Sequence, residues 1–95
     1  MKKYELMCIF EPNVEEDRRN QLLDRIKAII EADGEIENLD EWGLRKLAYE
    51  IDKIQEGYYV LINFDMDTQA LNELDRNLKI ADDIIRYMIV RIGEE

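Results

Sequence analysis

Residues 2–10 open with polar and apolar side chains in alternation and close on the run Leu6-Met7-Cys8-Ile9-Phe10, the pattern of a strand packed on both faces. Glu11-Pro12-Asn13 interrupts it, and Asn13 with Glu16 three positions later predicts a capped helix start. Leu22, Leu23, Ile26, Ile29 and Ile30 then recur at helical intervals, with Arg18, Arg19, Asp24, Arg25 and Lys27 on the other face. A helix is expected over roughly 15–33, with Gly34 as its left-handed stop. From Glu35 to Ile51 the period falls towards two, which predicts one long strand, irregular near Gly43, whose far half extends beyond the sheet.

A polar connection, Asp52 to Gly57, leads to Tyr58-Tyr59-Val60-Leu61-Ile62-Asn63-Phe64, the strongest β segment of the chain. Thr68 is the expected cap of a second helix carrying Leu71, Leu74 and Leu78, and Asp82-Asp83 separates it from a last strand over Ile84 to Ile92. The order βαββαβ repeats strand, helix, strand. It predicts an α+β, ferredoxin-like fold of one domain over residues 1–95: a four-stranded antiparallel sheet with two helices on one face.

Two helices cover one face of such a sheet. Strand parity assigns Tyr4, Leu6, Cys8, Phe10, Tyr58, Val60, Ile62 and Phe64 to the covered side. The other side then carries Met7, Ile9, Tyr59, Leu61, Met88, Val90 and Ile92 beside Lys3, Glu5, Asn63 and Arg86, an apolar content that favours a partner surface over a few singly exposed side chains. Trp42 and Leu44 extend the expected partner surface onto the second strand, an edge strand in this topology. Arg45-Lys46 on that edge reads either as a basic docking tip or as protection against wrong strand pairing.

Composition narrows the function. With 23 Asp+Glu against 13 Lys+Arg the net charge is −10, which opposes binding to a bare phosphate backbone or an anionic membrane. No His and a single Cys exclude Cys/His zinc sites, His-assisted nucleophiles and an intrachain disulfide. Met1 leads directly into charged residues, and no apolar run approaches 18 residues, so a soluble cytoplasmic protein is expected.

The remaining motifs carry little chemistry. Glu56-Gly57-Tyr58-Tyr59 has the placement of an RNA-recognition signature, but begins with Glu in place of Lys or Arg and turns only one tyrosine outward. Glu15-Glu16-Asp17 and Asp82-Asp83 lack calcium-loop spacing, so no metal and no cofactor is assigned. Glu11-Pro12-Asn13-Val14 lacks the Arg that an anion-cradling hydrolase loop requires, and Cys8 reads as a small core residue. No enzyme is expected.

The run Trp42-Gly43-Leu44-Arg45-Lys46-Leu47-Ala48-Tyr49-Glu50-Ile51, followed by Glu56-Gly57-Tyr58-Tyr59, resembles the signature of the sixth protein family of the bacterial small ribosomal subunit. Lys2-Lys3-Tyr4-Glu5 and Arg86-Tyr87-Met88-Ile89-Val90 extend the likeness over nearly the whole chain, although Glu50 stands where a Pro often follows the Tyr. The resemblance implies a ferredoxin-like, non-enzymatic protein that binds the central domain of small-subunit ribosomal RNA beside a basic neighbour, the eighteenth protein of the subunit. It makes Lys2, Lys3, Arg45, Lys46 and Arg86 candidates for RNA contact. The competing expectation is a ferredoxin-like ligand-binding or regulatory module that self-associates through its open face.

Overall fold

The computed structural model describes residues 1–51 and 54–94, and the side chains of 1–47 and 54–92. The elements are β1 (Lys2–Phe10), α1 (Glu16–Asp33), β2 (Gly34–Ile51), β3 (Ile54–Met66), a single 3-10 turn (Thr68–Ala70), α2 (Leu71–Ile80) and β4 (Ile84–Glu94). The sheet is antiparallel in the order β2-β3-β1-β4. This is the expected split βαβ arrangement, and it makes β2 and β4 the two edges.

Burial follows the expected parity. Tyr4, Leu6, Cys8 and Phe10 of β1 and Val60, Ile62, Phe64 and Met66 of β3 form one cluster with Leu23, Ile26 and Ile30 of α1 and Leu74 and Leu78 of α2. The helical residues sit three or four apart, the spacing that lines one helix face, so both helices pack on the same side of the sheet. Within this cluster the Tyr4 and Phe64 rings stack with centroids 5.6 Å apart. Burial pushes the Cys8 thiol up to about 12, so it stays neutral and behaves as a small apolar residue.

Several local expectations fail for identifiable reasons. Glu15, not Asn13, occupies the cap position of α1, without a side-chain cap bond; Glu16 and Asp17 in the first turn compensate the helix dipole instead. Gly34 is extended (φ −174°), and its constraint is space, because a Cβ there would lie 2.0 Å from the Asp65 carbonyl oxygen. Asp67 takes the place assigned to Thr68, its carboxylate accepting the Gln69 N–H at 3.0 Å. Ile54–Gly57, expected as a connection, belongs to β3, since their backbone pairs with β2. Asp52 and Lys53 lie outside the described residues.

The irregularity near Gly43 is present. The β2–β3 register shifts between Glu41 and Gly43, and Gly43 has φ +81°, a left-handed conformation that glycine adopts without steric penalty. β1 pairs with β3 only as far as Phe10↔Tyr58, whereas β2 and β3 continue through Arg45↔Gly57, Lys46↔Glu56 and Ile51↔Ile54. The far half of β2 thus stands beyond the four-stranded part as a hairpin arm.

Candidate partner surface

Register fixes the composition of the uncovered face, because directly opposed residues of an antiparallel pair share a side. One row across the sheet is Asp40, Leu61, Met7, Met88; its neighbours are Asn63, Glu5, Val90 on one side and Tyr59, Ile9, Arg86 on the other. Met7, Tyr59 and Leu61 are half-buried, whereas Met88 and Val90 remain 54% and 41% exposed. The apolar band is therefore continuous across β3, β1 and β4 and opens towards the β4 edge.

Two assigned residues do not belong to it. Ile9 points to this side but is only 7% exposed, so it supports the surface and presents little of it. Its position is crowded by close packing against Gly57, where an added Cβ would lie 2.3 Å from an Ile9 methyl. Leu44 pairs with Tyr58 and so stands on the helix side of the sheet, 51% exposed. The bulge at Gly43 changes the parity of β2, a change that simple alternation along the sequence misses.

Trp42 does join the uncovered face. Its ring stacks on Tyr59 with centroids 6.3 Å apart and planes 7° from parallel, and its Nε1–H donates to Asp40 Oδ2 at 3.0 Å. It remains 37% exposed. The side chain of Tyr49, a neighbour on the same strand, lies outside the described residues.

The candidate RNA-contacting cations are not brought together. Lys2 and Lys3 begin β1, where their pairing with Met66 and Asp65 sends them to opposite faces, and Lys3 Nζ donates to Glu37 Oε1 at 2.9 Å. That contact, followed by an interaction with Asp65, holds the Glu37 carboxyl below its usual range. Arg86 lies opposite Ile9, six residues along β1 from Lys3, a separation of about 20 Å at the ordinary strand rise. Arg45 and Lys46 are exposed on the hairpin arm, with Arg45 donating to the Leu44 carbonyl oxygen at 3.2 Å. The sheet separates charge between its edges: β2 carries Glu35, Glu37, Asp40 and Glu41 ahead of the arm, while β4 carries Arg86 and Arg91.

Sequence reasoning missed the polar links that hold this platform. Arg19 of α1 lies over the Tyr58 ring, Arg18 pairs with Asp83, and the Tyr87 hydroxyl donates to Asp75 Oδ1 at 2.7 Å. The Arg18–Asp83 bond raises the Arg18 pKa. These links span 39, 65 and 12 positions respectively, and no local pattern announces them.

Together these features define a ferredoxin-like α+β protein with an uncovered, largely apolar sheet face flanked by edges of opposite charge. Residues 3–91 match the family model of ribosomal protein S6. The chain is 64% identical over 92 residues to the small ribosomal subunit protein bS6 of Alkaliphilus oremlandii, covering 97% of this chain and 98% of that protein. It is 61% identical to the bS6 protein of Alkaliphilus metalliredigens, over 99% of this chain and all of that one. The crystal structure of the 30S ribosomal protein S6 of Thermotoga maritima superposes with a TM-score of 0.89 at 42% identity, covering 96% of this chain and 87% of that one. The chain belongs to the ribosomal protein S6 family: it is a non-enzymatic, structural protein of the small ribosomal subunit.

Proposed function

We propose that this protein binds the central domain of small-subunit ribosomal RNA jointly with the basic eighteenth protein of the subunit, within the bacterial cytoplasm and as one domain over its 95 residues. The observation that carries the proposal is the continuous apolar band of the uncovered face on a chain of net charge −10. A surface of that kind favours burial against protein, and the charge opposes unaided binding to phosphate. The basic partner supplies most of the phosphate neutralisation, while Lys2, Lys3, Arg45, Lys46 and Arg86 add dispersed contacts.

The test is a binding titration on a central-domain RNA fragment at physiological salt, with and without the partner. The chain alone is expected to stay in the weak, non-specific range, on the order of 10 μM or weaker, and addition of the partner restores tight binding. Submicromolar specific binding by the chain alone overturns the joint mechanism. In the complex, changing both Arg45 and Lys46 to Gln should weaken assembly and flatten its salt dependence. Aggregation of that variant with unchanged assembly assigns the pair to protection of the β2 edge instead.

A further inference from the structure

Trp42 is held in a manner that core packing does not explain. Its ring lies parallel to and offset from that of Tyr59, and the bond from Nε1–H to Asp40 fixes its rotation. The residue is still 37% exposed, so part of the ring is presented to solvent in a set orientation. The charge beside it is mixed: Asp40 lies two residues before it on the same strand, Arg45 and Lys46 three and four residues after it, and Glu35 and Glu37 stand further along. Asp40 Oδ2 accepts the indole proton, which leaves Oδ1 available for a second donor.

Resting on the joint-binding reading above, we infer that this corner is an arginine site: a guanidinium from the basic protein partner lies flat on the outer face of Trp42 and donates to the Asp40 carboxylate. The indole is the strongest aromatic acceptor for a cation, and a planar guanidinium stacks on it while keeping its N–H fork free for the carboxylate. A nucleobase could use the same ring, but it would leave the Asp40 carboxylate, which holds the indole, without a cationic donor and close to the phosphate backbone. A second copy of this chain would bring another −10 of charge. The shifts of register between Ile36 and Asn38 and between Glu41 and Gly43 twist this edge and oppose addition of a regular strand, which favours docking through a side chain.

Trp42 is the single tryptophan of the chain, so its fluorescence reports the site directly where the partner has none. The purified chain is titrated with the eighteenth protein of the same organism, following tryptophan emission where the partner lacks Trp and anisotropy of a label on this chain in every case. Saturable change in Trp42 emission is expected. Trp42→Leu should weaken the complex about tenfold, equivalent to about 1.4 kcal/mol, with Trp42→Phe intermediate. Asp40→Asn should weaken it several-fold and reduce its salt dependence, and gives an answer even if Trp42→Leu folds poorly. Wild-type complex formation with Trp42→Phe and Asp40→Asn both binding as wild type overturns the arginine site alone. No complex between the wild-type proteins overturns the joint-binding reading as well. A wild-type chain that sediments as a dimer through this face also overturns the site, because the ring is then covered by a second copy.

Discussion

The guanidinium carbon of Arg19 lies 3.7 Å from the centroid of the Tyr58 ring, and the Tyr58 hydroxyl in turn donates to Glu41 Oε1 at 3.1 Å. Three elements, α1, β3 and β2, are thereby joined at the point where β1 ends and the hairpin arm begins. Burial, then the bond to Glu41, pushes the Tyr58 hydroxyl above its ordinary pKa. Arg19 Nε is buried with no hydrogen-bond partner, so the aromatic face is what this part of the guanidinium meets. Arg19→Ala should therefore lower stability by about 1 kcal/mol through lost cation–π contact and packing of the arginine stem. Tyr58→Leu should cost a similar amount or more, and the double variant less than the sum; additive losses in chemical unfolding would show that the two residues do not couple.

Gly43 and Gly34 are expected to resist substitution for different reasons. Alanine at 43 meets no atom within 4 Å but must adopt φ +81°, a cost of about 1 kcal/mol. Alanine at 34 places its Cβ 2.0 Å from the Asp65 carbonyl oxygen and must displace a backbone shared by β2 and β3. Thermal unfolding should show a modest loss for Gly43→Ala and a clearly larger one for Gly34→Ala. Equal losses would contradict this division.

Tyr87 supplies a pH dependence of known sign. The bond to Asp75, with burial, pushes its phenol from 10.0 up to about 12. A phenol with a raised folded pKa favours the native state while protonated, so its contribution is complete below pH 10.0 and is lost as pH rises towards about 12. In Tyr87→Phe this alkaline loss should be reduced, and a tyrosinate absorbance titration should lack the latest-ionising group. An unchanged titration above pH 10.0 would remove Tyr87 as its source.

Leu61 and Ile62 are adjacent but face opposite sides of the sheet. Leu61→Lys should change stability by roughly 1 kcal/mol or less and damage assembly with the partner and RNA. Ile62→Lys places an ammonium in the core and should cost several kcal/mol. An unfolded Leu61→Lys protein would refute the assigned face; a folded one that assembles normally would refute the partner surface.

The element order, the inward residues of β1 and β3 and the apolar character of the uncovered face were legible in the sequence, because each rests on periods of two or 3.6 among near neighbours. Local chemistry likewise marked Gly43 as the break in β2 and Cys8 as a core residue. Tertiary structure decided what depends on distant partners. The bulge at Gly43 put Leu44 on the helix side, the packing of Gly57 buried Ile9, and the close approach of Asp65 explained Gly34. The antiparallel order β2-β3-β1-β4 separated acidic and basic edges and kept Lys3 and Arg86 about 20 Å apart, because strand pairing, unlike helical period, joins residues far apart in the chain.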